Sequence, residues 1–166
     1  MAKQKKKRIS KQRTMMFVLF GVYTLIMMYL LFFQRIGIDF SGLTYGEYIS
    51  SSINLIPFET ITNYAKCVRD SSEILSFAFI NLSGNIIMFI PLGFFMPMIW
   101  KKQRKFSKFI VTICIIIISV ETIQLLAMLG SCDIDDLLFN IIGATIGFGI
   151  WKLKPVLKLL YKYGFI

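Results

Sequence analysis

Six polar residues lie close together near the end of this chain and carry groups that can exchange protons or bind cations. They are four carboxylic acids and two carboxamides: Glu121, Gln124, Asp133, Asp135, Asp136 and Asn140. A carboxylic acid in an apolar site can act as a general acid or base, because burial raises its pKa. Carboxylate and amide oxygens also suit Ca²⁺ and Mg²⁺. The residue types predict a polar site, either without a cofactor or with a divalent cation at the carboxylates.

Glu121 and Gln124 lie inside an apolar run, where an ionisable side chain costs on the order of 2.5–3.5 kcal/mol on insertion scales and by default marks a functional site. The chain is 56% hydrophobic and 17% charged. A soluble domain carries about a quarter charged residues. This composition predicts a membrane protein whose main surroundings are the lipid bilayer.

Four apolar stretches approach the length of about 20 residues, and at least roughly 17, that a membrane-spanning helix needs. We therefore predict an all-α, polytopic fold with four transmembrane helices, at residues 14–33, 76–100, 109–129 and 137–153. These form one membrane domain over 14–153, between basic tails at 1–13 and 154–166. The first stretch should remain as an anchor, because it is longer than the apolar core of a signal peptide and no cleavage site follows it.

The charges predict the orientation. Residues 1–13, 101–108 and 152–162 carry seven, five and four of the 19 lysines and arginines, and none of the nine acidic residues. The positive-inside rule places both termini in the cytoplasm and one long loop, 34–75, outside. The net charge of +10 is read as this topology signal rather than as a nucleic-acid-binding tail.

Helix geometry predicts which polar residues meet. At about 1.5 Å per residue, Asn85 and Glu121 lie at similar depths, as do Asn81 and Gln124. We expect a polar cluster between the second and third helices, open to the outside and joined by Asn140 of the fourth. Pro91 should bend the second helix.

The outer loop and the fourth helix complete the predicted pocket. The apolar segment 53–61 is too short to span, and it either dips into the pocket or packs on the helix ends, which brings Asn54 and Pro57 near the cluster. We expect one of the three carboxylates, first Asp135 or Asp136 and then Asp133, to cap the fourth helix. Gly143 and Gly147 form a small-xxx-small motif for close helix packing, either within the chain or in a homo-oligomer.

Cysteine and histidine usage narrows the chemistry. The chain has no histidine, which excludes histidine-dependent zinc and copper sites and serine–histidine triads. Its three cysteines have no recognisable spacing. We expect them to be unpaired, although Cys67 and Cys132 would both lie outside and could in principle form a disulfide.

The order of these motifs resembles the VanZ-like family of small bacterial membrane proteins. The resemblance covers about residues 54–151 and rests on Asn54-Leu-Ile-Pro-Phe58, Asn85-xxx-Phe89-x-Pro91-Leu-Gly93, Glu121-xx-Gln124 and Asp133-Ile-Asp135-Asp136, followed by Asn140, Gly143 and Gly147. It implies a bacterial cell membrane, and the family's founding member is associated with low-level resistance to the glycopeptide teicoplanin. Members often have an arginine before the acidic motif, where this chain reads Met128-Leu-Gly-Ser-Cys132. A counter-ion would then come from Arg35, Lys66 or Arg69, or from a ligand.

Four functions follow. The first is an envelope protein that lowers glycopeptide susceptibility, with a pocket for the antibiotic, a lipid-linked wall precursor or a partner membrane protein. The second is an enzyme that acts on a lipid or isoprenoid-linked substrate by carboxylate acid–base chemistry, with Glu121 as the acid or base. The others are a transporter subunit, which the apolar cytoplasmic half disfavours, and a structural protein whose polar cluster only fixes helix register.

Overall fold

The computed structural model describes residues 2–33, 42–59, 62 and 72–165, with side chains from residue 11 in the first range and from residue 81 in the last. Its longer helices are α1 (Ala2–Met28), α3 (Ser72–Ile99), α4 (Phe106–Leu126) and α5 (Ile134–Lys152). Shorter helices are α2 (Tyr45–Ser51) and α6 (Lys154–Tyr163), with a π-helical turn at Tyr29–Phe33 and a 3₁₀ turn at Lys101–Arg104. The predicted helical class is confirmed, with one small departure, a parallel pair of two-residue strands, β1 (Ile53–Asn54) and β2 (Cys132–Asp133).

In the part of the chain that the structure describes, four helical segments are long and apolar enough to cross a membrane. They are Lys11–Phe33, Asn81–Ile99, Phe106–Leu126 and Ile134–Lys152. This agrees with the predicted number of spans. Large apolar side chains such as Leu25, Ile87 and Ile115 are exposed on their outer faces. Such exposure suits lipid contact, because the bilayer replaces the protein core as the apolar surroundings.

The closest helix pair is α3 with α5, because glycines let their backbones touch. A Cβ atom added to Gly143 would lie 2.1 Å from the carbonyl oxygen of Ile86, and one added to Gly147 would lie 2.0 Å from that of Ile90. From the other side, a Cβ on Gly93 would lie 1.9 Å from the carbonyl oxygen of Ala144. The Gly143-xxx-Gly147 face is therefore occupied by α3 of the same chain.

Helix α5 also packs against α4, and α1 packs on α3. This arrangement corrects the expectation of a cluster between the second and third spans, since the main partner of α3 is the fourth span. Small side chains explain the preference, because without a hydrophobic driving force in lipid the tightest backbone approach is favoured.

An aromatic core fills the end of the bundle that carries the basic residues. The ring centroids of Phe109 and Phe148 are 4.6 Å apart, and those of Phe148 and Trp151 are 5.5 Å apart. Helix α6 packs here through the buried Leu160. It ends at Tyr163 and is capped by Gly164, whose φ of 77° favours glycine. The opposite end of the bundle holds the polar residues.

Candidate functional site

The acidic start of α5 is the centre of the polar end. Helix α5 begins at Ile134 because the Asp133 side chain accepts a hydrogen bond from the backbone N–H of Asp135 at 2.8 Å. One of the three predicted carboxylates is thus the N-cap, and it is Asp133 rather than the first choices, Asp135 and Asp136. With the capping role taken by Asp133, the carboxylates of Asp135 and Asp136 reach other segments.

Asp135 binds the backbone of the segment that follows β1. Its Oδ1 accepts a hydrogen bond from the N–H of Phe58 at 2.6 Å, and its side chain is only 2% exposed. Phe58 has a φ of 65°, an uncommon conformation for a residue other than glycine. Such a conformation persists only where surrounding contacts hold it, and the bond to Asp135 is one of them.

The segment before Phe58 is joined to the start of α5 by strand pairing between β1 and β2. Ile53 lies opposite Cys132 and Asn54 opposite Asp133, and the N–H of Cys132 donates to the carbonyl of Ser52 at 2.8 Å. Asn54 therefore lies at the acidic cluster, where its Oδ1 accepts from the N–H of Ile56 at 3.1 Å. Pro57 is exposed at the turn that follows.

Asp136 links the cluster to α3. The Nδ2 group of Asn85 donates to Asp136 Oδ1 at 2.5 Å, a short bond of the charge-assisted kind. Asn85 is 7% exposed and Asp136 is half-buried, so the bond is partly shielded from the surroundings. Asn140 lies one turn further along α5 and is 2% exposed. Pro91 lies six residues beyond Asn85, about 9 Å along α3, and so at a different level from the carboxylates.

Gln124 and Glu121 are the buried polar residues of α4. Gln124 Nε2 donates to the carbonyl of Leu31 at 2.8 Å, rather than pairing by depth with Asn81. Leu31 belongs to the π-helical turn at Tyr29–Phe33, the last turn of this helical segment that the structure describes. Gln124 thereby links α4 to the π-helical turn that follows α1.

Glu121 lies close enough to β2 to affect the thiol of Cys132. Burial, and then the negative charges of Glu121 and Asp133, raise the pKa of the Cys132 thiol. Cys132 is therefore a protonated thiol at neutral pH rather than a reactive thiolate. Cys114 and Cys132 are both free, while Cys67 and its predicted alternative pairing lie outside the described residues.

Asp135 Oδ2 and Asn140 Oδ1, at this end of the bundle, make no hydrogen bond among the described residues, and both belong to buried side chains. Buried acceptors without donors are costly, so they suit a ligand that brings N–H or O–H groups. In the described part of the chain, no three His, Cys, Asp or Glu side chains are grouped to hold a metal ion. The predicted counter-ions Arg35, Lys66 and Arg69 lie outside the described residues.

Two tyrosines that the sequence analysis did not select support the site. Tyr48 is fully buried and its hydroxyl donates to the carbonyl of Gly130, while that of Tyr45 donates to the carbonyl of Leu126 at 3.2 Å. Both belong to α2, which starts with a capping box between Thr44 and Glu47. The spacing Thr-x-x-Glu was the signal that could have predicted this helix.

Comparisons with known proteins identify relatives of this chain. The profile of the VanZ/LLP1 family matches residues 20–157, which is most of the chain. Protein VanZ of Enterococcus faecium is 24% identical over 136 residues, covering 82% of this chain and 73% of the relative. No solved structure matches. The matched range includes every polar residue of the site described above. The chain belongs to the VanZ/LLP1 family.

Proposed function

We propose that this protein acts in the bacterial cell envelope and lowers susceptibility to glycopeptides, teicoplanin in particular, through an outward-facing polar pocket. The observation that carries the proposal is the convergence of Asn85, Asp135, Asp136 and Asn140 at one end of the bundle, with Glu121 beside Cys132. Strand pairing and the Phe58–Asp135 hydrogen bond hold segment 52–58 against the start of α5, beside these residues.

The buried acceptors at this end support a ligand that brings hydrogen-bond donors. Asp135 Oδ2 and Asn140 Oδ1 accept no hydrogen bond from the part of the chain that the structure describes, and so they suit N–H or O–H donors of a ligand. A lipid-linked wall precursor and a lipophilic glycopeptide both supply amide and hydroxyl donors beside an acyl or isoprenoid chain. Either would place its polar part at this end of the helices and its apolar chain in the bilayer.

The test is teicoplanin susceptibility of a sensitive Gram-positive host that carries no copy, the wild type, or Glu121→Gln. Thr122→Val is the matched control, because Thr122 adjoins Glu121 but is exposed and donates only to Ile118 of its own helix. Membrane levels are compared by immunoblot. Raised resistance in the wild type and control, lost in an equally abundant Glu121→Gln protein, supports the proposal. Unchanged resistance in the wild type would refute it.

The orientation needs its own measurement. Ser131→Cys and Ser107→Cys are a matched pair, since both serines are exposed and lie at opposite ends of α4. In a background without the native cysteines, a membrane-impermeant maleimide added to intact cells should label the first and not the second. The reverse pattern would place the polar end in the cytoplasm and end the proposal of an outward pocket.

An enzyme acting on a lipid or isoprenoid-linked substrate is the alternative. It is favoured by the burial of two carboxylic acids, Glu121 at 6% and Asp135 at 2% exposure, near the same strand. In an enzyme, substituting Glu121 by Gln would abolish turnover of such a substrate without lowering the amount of folded protein. A structural network would instead lose the protein itself.

A further inference from the structure

The opposite end of the bundle contains a basic cavity that the proposed function does not use. It measures about 780 Å³ and is bounded by the start of the first span, the end of α3, the 3₁₀ turn and the end of α6. Four cationic side chains line it and no acidic one does: Arg13, Lys101, Lys102 and Arg104. From this geometry we propose that the cavity binds the phosphate headgroup of an anionic phospholipid such as phosphatidylglycerol.

The walls of the cavity explain why a lipid fits better than a soluble anion. Met16, Phe17 and Met98 supply apolar surface at the end of the membrane-spanning segments, where acyl chains begin. Trp100 and Tyr161 also line the cavity. These two residue types concentrate at the level of the headgroups, because each joins an apolar ring to a polar group. Cationic and apolar surfaces thus meet at the depth where a phospholipid changes from headgroup to chain.

Arg104 is held in position for such a ligand. Its Nε donates to the carbonyl of Pro97 at 3.0 Å, and its guanidinium carbon lies 6.0 Å from the centre of the Trp151 ring. A guanidinium held through Nε keeps its two terminal NH₂ groups for a second acceptor, and phosphate oxygens match that fork. Lys101 and Lys102 are exposed beside it and add charge without a fixed geometry.

The test uses the full-length protein, purified and delipidated in neutral detergent, and native mass spectrometry with dioleoyl phosphatidylglycerol or dioleoyl phosphatidylcholine. The wild type should bind phosphatidylglycerol more tightly than it binds phosphatidylcholine, by about tenfold or more. Near a membrane surface each cation contributes about 1 kcal/mol, which is about fivefold in affinity. The double variant Lys101→Gln/Lys102→Gln should therefore lose most of this preference, and Arg13→Gln alone about fivefold.

The matched control is Lys105→Gln/Lys108→Gln, which removes the same charge from the same basic region but from residues that do not line the cavity. Retained preference in the control and lost preference in the site variants supports the proposal. Equal binding of both lipids by the wild type, or an equal loss in the control, overturns it. Glycerol 3-phosphate and inorganic phosphate are each tested alone. The proposal is also overturned if these soluble anions bind through the same cationic side chains while the protein shows no preference for the anionic lipid. These results are independent of teicoplanin susceptibility.

Discussion

The side chain of Asn85 in α3 donates a hydrogen bond of 2.5 Å to the carboxylate of Asp136 at the start of α5. The two residues are 51 positions apart, with the whole of α4 between them in the sequence. The donor is an amide inside a membrane-spanning helix, and the acceptor is a carboxylate that would otherwise be solvated by water. The bond fixes the height of α3 against α5 at the polar end.

The strength of this contact is measurable in a double-mutant cycle. We expect Asn85→Ala and Asp136→Ala to be coupled by about 1–2 kcal/mol in the free energy of unfolding, the upper range for polar contacts between membrane helices. The measurement is reversible unfolding in mixed micelles. The same cycle between Asn85→Ala and Thr122→Ala is the control, and coupling of similar size there would contradict a specific bond.

The glycines between α3 and α5 should tolerate no side chain. Gly143→Ala or Gly147→Ala would place a methyl group near 2 Å from a backbone oxygen, and backbone cannot move aside as a side chain can. We expect each to destabilise by about 1–3 kcal/mol or more. Gly149→Ala is the control on the same helix, because its Cβ would meet nothing within 4 Å. Thermal stability in detergent should fall for the first two only.

Tyr48 should hold α2 against the loop that follows α4. Tyr48→Phe removes a buried donor to the Gly130 carbonyl, and we expect a cost of about 1–3 kcal/mol. Tyr45→Phe is the matched control, because Tyr45 is 51% exposed, and its effect should stay within about 0.5 kcal/mol. Hydrogen exchange at the Cys132 amide, which bonds to Ser52, should accelerate in Tyr48→Phe. Equal acceleration in both variants would refute this role.

The thiol of Cys132 should report the charge of Glu121. Its pKa is raised by burial and by the Glu121 and Asp133 charges, so its alkylation midpoint should lie above the ordinary value of about 8.5. Glu121→Gln removes one negative charge, which lowers the pKa and increases the thiolate fraction. Iodoacetamide should then react faster at pH 8.5, as followed by mass spectrometry of the Cys132 peptide.

Thr122→Val again serves as the control for that measurement, since it leaves the charge near Cys132 unchanged. A rate that does not change in Glu121→Gln would mean that Glu121 is uncharged at that pH or remote from the thiol. Either outcome would remove the electrostatic evidence that Glu121 belongs to the polar site.

The sequence predicted the features that depend on composition and periodicity. Four spans follow from runs of apolar residues, and the burial of Glu121 and Gln124 follows from their position inside one of them. The small residues at 143 and 147 indicated close packing, because few other features of a membrane helix permit it.

Other features depend on contacts between distant segments, which depth along a helix does not determine. Asn85 and Glu121 lie at similar depth, but Asn85 bonds to Asp136 because the glycines bring α5 against α3. Gln124 donates to the Leu31 carbonyl, 93 positions away, which no spacing in the sequence indicates. The parallel pairing of 53–54 with 132–133 joins two short segments with no strand periodicity of their own.

The contact of α3 with α5 also bears on how the chain is made. A ribosome releases α3 long before α5, so Asn85 enters the membrane before its acceptor on α5 exists. The glycine surface of α5 and the carboxylate of Asp136 arrive together in the last span, and only then can the two backbones close. Assembly of the polar end is therefore a late event in biogenesis, and a chain interrupted after α4 would hold an amide in the bilayer for the insertion machinery or a protease to recognise.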